Sequence, residues 1–189
     1  GGTESRARSK EAVIKNISGM IDRLKTLNPD FMLLQELDTD ATRSHHVNER
    51  EMAEKAFPEM SAAFAVNYHS AYLFYPFLEP HGASDAGILT LADCEIESAI
   101  RRSLPVETGL TKFLDLDRCY SVSRIPVSNG KTLCLYNLHL SAYTSDGTIA
   151  NDQLEMLIAD MQAEYEAGNY VVGGGDFNKD LLGDSAAIF

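Results

Sequence analysis

Apolar residues recur at helical spacing near the start of the chain, at Val13, Ile14, Ile17, Ile21, Leu24 and Leu27. Ser9 is available as an N-cap and Asn28-Pro29 as a stop, so the pattern predicts an amphipathic helix. The next stretch, DFMLLQELD (30 to 38), is a short apolar run between turn residues, with the length of a buried strand. A second helix is expected at 48 to 57, capped by Asn48, with Met52, Ala53, Ala56 and Phe57 inward and Pro58 just past its end. The period then changes. Segments 64 to 75, 87 to 91, 95 to 103 and 119 to 127 read as strands separated by Gly, Asp, Pro and Ser. VSNGKTLCLYNLHL holds Asn129-Gly130 between two strand-like runs, a hairpin signal, so these strands should pair antiparallel. A third helix at 151 to 167 carries Leu154, Leu157, Ile158, Met161 and Tyr165 on one stripe and stops at Gly168. A short strand at 170 to 172 then runs into Gly173, Gly174 and Gly175.

Helix, strand, helix, several antiparallel strands, helix, strand is the order of an α/β protein with sheets packed face to face and helices outside. The 189 residues, 44% of them hydrophobic, carry no repeat or low-complexity linker, so one domain over 1 to 189 is expected. No run approaches the eighteen or so apolar residues of a membrane span, and the first residues lack an apolar signal-peptide segment. The expectation is a soluble domain, cytoplasmic by default, with an N-terminal membrane anchor in a longer parent protein left open. Cys94, Cys119 and Cys134 lie far apart with no C-x-x-C pair, which argues against a thiolate zinc site or a disulfide framework and for buried thiols. A net charge of −12 repels polyanions unless divalent cations intervene. It disfavours nucleic acid as a substrate and makes a metal-binding acidic cluster more credible.

Polar residues at the ends of apolar strands carry the chemistry. Gln35 and Glu36 close the run Phe31 to Leu34, Asn137 and His139 punctuate Leu133 to Leu140, and Asp176 and Asn178 follow Tyr170 to Val172. Any one of these is explained by a strand-end cap or a satisfied core hydrogen bond. Together they supply a carboxylate, an imidazole and an Asp-x-Asn pair, the set that metal-assisted phosphoester cleavage requires. The glycines before Asp176 read as a tight turn at the strand end, because glycine accepts backbone angles that other residues resist. They match neither a dinucleotide loop nor a P-loop. Asp176, Asn178 and Asp180 imitate the start of a calcium loop, but Leu181 and Ala187 stand where Gly and Glu are needed.

NPDFMLLQELD, LYNLHLSA and VVGGGDFN, in that order and with a helix between the last two, resemble the endonuclease/exonuclease/phosphatase (deoxyribonuclease I-like) superfamily. The resemblance runs from the first helix to about Asp184. It implies a four-layered α/β sandwich with the active site at one edge of the two sheets. It also implies that Glu36 binds Mg²⁺, with Mn²⁺ as an alternative, and that His139 bonds the phosphoryl group or protonates the leaving oxygen. Asp176 would orient or deprotonate the attacking water, Asn178 would hold a non-bridging oxygen, and Gln35 and Asn137 would support them from behind. Two departures stand out: the family's Asn on a first strand before the first helix is absent, and so is its closing Ser-Asp-His motif. A domain cut at both ends in this way is expected to hydrolyse slowly and to associate through sheet edges beside 31 to 38 and 171 to 176.

Three functions compete on this basis: a Mg²⁺-dependent hydrolase of a small or lipid-linked phosphoester, a nuclease, and a non-catalytic relative acting as a binding module. Arg101-Arg102 is the only adjacent basic doublet, which favours the first over the second. The polar segment 41 to 50 either lines the substrate pocket or is a solvated loop. His45, His46, His69 and His81 fall outside the motifs and are read as surface residues.

Overall fold

A computed structural model describes residues 6–73, 82–106, 117–141 and 148–178, with the side chains of 70–73 and 82 left aside. His81, Asp180 and the 74–75 end of the expected strand lie outside the described residues.

The first helix, α1, is Lys10–Leu27, and both of its caps follow the sequence signals. Ser9 Oγ accepts from the amide of Ala12, and Asn28 closes the helix in the left-handed region at φ 45°. β1 (Phe31–Ala41) runs three residues beyond the expected strand. A short 3₁₀ turn, Thr42–Ser44, leads to α2 (Glu49–Ala56), where Asn48 Oδ1 accepts from the amide of Glu51. β2 (Ser61–Leu73), β3 (Gly82–Ala92), β4 (Ser98–Ser103), β5 (Cys119–Pro126) and β6 (Thr132–His139) follow, then α3 (Thr148–Glu166) and β7 (Tyr170–Asp176).

Two sheets form, ordered β1-β3-β2 and β4-β5-β6-β7. The strands from β1 to β6 pair antiparallel, as the turn chemistry predicts, whereas β7 returns through α3 to pair parallel with β6. The β5–β6 hairpin closes on three residues rather than two. Val127 and Lys131 face each other, and Gly130 takes φ 81°, which glycine accepts without strain.

The core divides into layers. Met32, Leu37, Ala53, Leu89 and Leu91 bury the outer face of the first sheet, with Leu24 of α1 and Phe57 packed against them. Tyr120, Val122, Tyr136 and Leu138 bury the outer face of the second sheet against Leu157, Leu154 and Met161 of α3. Ala92, Ile125 and Leu135, with Leu33, fill the space between the sheets. The architecture is a four-layered α/β sandwich.

Three expectations change. Gly173 to Gly175 are not a turn: they belong to β7 and stay in register with Tyr136 to Leu138 of β6. The glycines lie in close packing: a Cβ on Gly173 would stand 3.1 Å from Met161 Cε and one on Gly174 2.9 Å from Leu33 Cδ1, both ends of flexible side chains, whereas one on Gly175 would overlap the backbone oxygen of Leu138. Cys119 and Cys134 are buried as expected, but Cys94 follows the end of β3 and is exposed. On α3 the buried stripe is narrower than predicted, because Ile158 and Tyr165 face solvent. A fully buried Gln153 takes a place there instead: its amide donates to Pro105 O and Ser141 Oγ and accepts from the amide of Ser141. That bonding fixes α3 to the chain just past β6. Among the described residues no helix is long and apolar enough to cross a membrane.

Candidate active site

Sheet pairing places His139 opposite Asp176, because β6 and β7 run parallel and both finish at that row. The ends are locked together: the amide of Leu140 donates to Asp176 O, and Asn178 Nδ2 donates to Leu140 O at 2.8 Å. Asn178, at φ 48°, also turns its own amide onto Asp176 Oδ1, also at 2.8 Å. One carboxylate oxygen is thereby committed to the turn. The other, Oδ2, lies 3.9 Å from His139 Nε2.

Glu36 arrives from the other sheet by a different device. The β1–β3 register advances three residues from Leu34 to Leu37 while β3 advances two, from Leu89 to Gly87, so β1 carries a bulge at Gln35-Glu36. Glu36 adopts φ 58°, a left-handed conformation that is unusual for a residue other than glycine. Bulges of this kind re-aim a side chain. Here Glu36 Oε1 comes to 3.8 Å from His139 Nε2.

Gln35 and Asn137 hold that bulge in place. Gln35 Nε2 donates to Leu33 O at 2.9 Å and to Asn137 Oδ1 at 2.8 Å, while Asn137 Nδ2 donates to Leu34 O and Thr90 Oγ1. Asn137 is fully buried between the sheets, so the pair ties β6 to β1 directly behind Glu36. The two residues expected to support the site are therefore joined to each other.

His139 is buried to 3% exposure, whereas the carboxylates of Glu36 and Asp176 are 61% and 51% open. Burial, reinforced by the positive charge of Arg118, holds the imidazole below its usual value; Glu36 and Asp176 oppose that shift and Arg43 adds to it. Burial thus favours the neutral ring. A neutral imidazole between two open carboxylates offers an anionic substrate little attraction unless a cation joins them.

The donor set fits a hard divalent cation held lightly. Among the described residues no three His, Cys, Asp or Glu side chains converge into a metal cage. Mg²⁺ needs none, because it is bound through one or two carboxylates with waters and phosphate oxygens completing the shell. The open Glu36 carboxylate can supply such a ligand.

The segment after Glu36 also reaches this region. Arg43, Ser44 and Glu49 help line a cavity of about 510 Å³ whose wall includes Glu36 and Asp38 but not His139 or Asp176. Asp38, almost fully buried, accepts two bonds from Arg43 Nε and one from Nη2, and Glu49 Oε2 accepts the amide of Asp38. Among the described residues the other histidines lie apart from the site: His45 bonds Ala7 O, His46 pairs with Asp40, and His69 with Asp85. Arg101 spends its guanidinium on Val66 O, Ser103 Oγ and Asp117 O, and Arg102 faces Asp160 at 3.7 Å.

One contributor carries no motif. Asn67, 4% exposed, lies on a second bulge, between Val66 and Tyr68 of β2, and its Nδ2 stands 3.3 Å from His139 Nδ1. Only its position within an alternating strand, as a small amide among apolar and aromatic residues, hinted at it.

Known structures share this arrangement of strands and helices. The chain superposes on the endonuclease/exonuclease/phosphatase from Beutenbergia cavernae with a TM-score of 0.66, at 15% identity, covering 88% of this chain and 44% of that one. The chain has the endonuclease/exonuclease/phosphatase fold. The human Nocturnin catalytic domain with bound sulfate gives a TM-score of 0.64 at 16% identity, over 89% of this chain and 58% of that chain. Sphingomyelinase C from Streptomyces griseocarneus gives 0.62 at 14% identity, over 89% and 59% respectively. The chain thus spans about half the length of these three structures. No protein-family model matches the sequence, and no curated protein matches it.

Proposed function

We propose that this protein hydrolyses a phosphoester bond with the help of a divalent cation, Mg²⁺ by preference, at the point where Glu36, His139 and Asp176 meet. The observation that carries the proposal is the convergence itself. A bulge within β1 and the ends of β6 and β7, on two sheets, bring two open carboxylates to 3.8 and 3.9 Å from one buried imidazole nitrogen. Nothing in the packing of a sandwich demands that arrangement, and a bulge with a left-handed Glu36 is needed to produce it.

Glu36 would hold the cation, which supplies charge neutralisation at the phosphate and acidifies bound water. His139 faces the phosphoryl group through Nε2. Asp176 Oδ2, left free by the turn that occupies Oδ1, is the base that orients and deprotonates the attacking water. Asn178 keeps one amide N–H beyond the bond to Leu140 O, and that hydrogen can hold a non-bridging oxygen as charge develops.

A small or lipid-linked phosphoester suits the surface better than DNA or RNA. Arg101 and Arg102, the basic doublet that a polyanion would need, are engaged by the protein itself, and the chain carries a net −12. That one fold neighbour is a sphingomyelinase and another holds sulfate, an anion shaped like phosphate, is in keeping with this reading. Hydrolysis of a bis-aryl phosphate in the presence of Mg²⁺ tests it. His139→Ala and Asp176→Asn should each lower kcat about a hundredfold or more with smaller effects on KM. Unchanged turnover in either variant removes that residue from the mechanism, and absence of turnover in the wild type on diester and monoester substrates alike favours a binding role.

A further inference from the structure

We propose that Asn67 is a positioning residue that fixes His139 as the tautomer carrying its proton on Nε2, so that the ring meets its ligand as a neutral hydrogen-bond donor.

The argument begins at a backbone amide. Cys119 N donates to Asn67 Oδ1 at 2.9 Å, and because a backbone N–H can only donate, the oxygen of the Asn67 amide must be the atom on that side. Flipping the amide would set N–H against N–H in a buried place. The nitrogen, Nδ2, is therefore the atom that faces His139 Nδ1 at 3.3 Å. Nδ2 is likewise donor only, so Nδ1 must accept, and in a neutral imidazole the remaining proton lies on Nε2. That is the nitrogen between Glu36 Oε1 and Asp176 Oδ2.

The fold sets up this relay deliberately far from sequence neighbours. The β2–β3 register passes from Val66 opposite Gly87 to Tyr68 opposite Ala86, leaving Asn67 as the extra residue of a bulge. Glu36 belongs to the bulge on the other side of β3, whose register resumes at the same Gly87. A Cβ on Gly87 would overlap the Phe64 ring and Ala65 O, so this row admits only glycine. From its bulge Asn67 spans the gap to the second sheet, where Cys119 and His139 are opposite one another on β5 and β6. Both of its polar ends are used, one on each of those strands.

A carboxylate in this position would have the same shape and the opposite effect. It would accept from both Cys119 N and a protonated Nδ1, leaving Nε2 bare or turning the ring into an imidazolium. With Asn in place, the Nε2–H can bind a phosphoryl oxygen but has no ready route to replace a proton given away. This chemical consequence rests on the phosphoester reading above; the tautomer itself does not.

The test is a two-bond ¹H–¹⁵N correlation spectrum of ¹⁵N-histidine-labelled protein, metal-free and at pH 7.5, with His139 identified by the signals lost in His139→Gln. Nε2 should appear as the protonated, pyrrole-type nitrogen and Nδ1 as the bare, pyridine-type one. In Asn67→Asp the pattern should reverse or become doubly protonated, and kcat on a bis-aryl phosphate should fall at least about tenfold with little change in KM, as wrong-tautomer variants do. A wild-type spectrum with the proton on Nδ1 overturns the proposal, and it decides the matter even if Asn67→Asp fails to fold. An unchanged spectrum in a folded Asn67→Asp overturns it as well. The expected spectra with no turnover in any protein would uphold the tautomer and count against the hydrolase reading alone.

Discussion

Gly175 and Leu138 lie side by side on the parallel strands β7 and β6, so close that a Cβ on the glycine would overlap the leucine carbonyl oxygen. Gly175 also takes φ 143°, a backbone angle side chains resist. The approach belongs to the row just before His139 and Asp176, so the spacing of the two strands there sets the spacing of the site.

Gly174 and Gly175 should differ when substituted. Gly175→Ala meets backbone that cannot yield and is expected to cost about 3 kcal/mol. Gly174→Ala meets only the end of the Leu33 side chain and should cost within about 1 kcal/mol. Urea denaturation of the two variants checks the order.

Titration with Mg²⁺ or Mn²⁺, followed by calorimetry, should give one saturable site. Glu36→Gln should weaken it at least about tenfold, because an amide is a poor substitute for a carboxylate toward a hard cation. Equal affinity in the variant would take Glu36 out of the metal site.

Asp38 is 2% exposed and takes three hydrogen bonds from Arg43. Arg43→Ala leaves that carboxylate buried without its charge partner and is expected to cost about 3 kcal/mol, whereas Asp38→Asn combined with Arg43→Ala should recover part of the loss. Thermal melts of the single and double variants measure the recovery.

Glu49 supplies a stability-versus-pH signature. Burial, with the neighbouring charges of Asp38 and Glu36, raises its pKa in the fold, although the amide of Asp38 and the charge of Arg43 pull the other way. The folded chain therefore binds more protons than the unfolded one between the ordinary glutamate value and the raised value. Stability from this group is present below the ordinary value and is lost as pH rises through the raised one. Glu49→Gln should be more stable than wild type at pH 7 and lose that advantage toward pH 4, as read from urea melts of both proteins across that range.

Local signals were legible wherever the cause is local. Ser9, Asn28 and Asn48 cap their helices because capping is decided within a few residues. Glu36, His139 and Asp176 stand out in the sequence because charged and imidazole groups that interrupt or close apolar runs call for a reason beyond packing, and the structure brings the three side chains together. Three glycines in a row look like a turn for the same local reason, but they lie against Met161, Leu33 and Leu138, all remote in sequence, and of these only the Leu138 backbone forbids a side chain. Asn67 carries no signal in the sequence because a bulge leaves no period of its own, and one amide in a strand reads as ordinary. Gln153 likewise looks ordinary in the sequence, because its partners, Pro105 and Ser141, come from other parts of the chain.

Glu36 and Asn67 belong to one sheet, and His139 and Asp176 to the other. Neither sheet alone holds the candidate site. The site is thus a coincidence detector for docking: a species with every strand paired but the two sheets slid apart would keep its far-ultraviolet circular dichroism and lose the meeting of imidazole and carboxylates. Function should then vanish earlier in a denaturant series than secondary structure does, and the gap between the two transitions would measure how firmly the sheets hold each other.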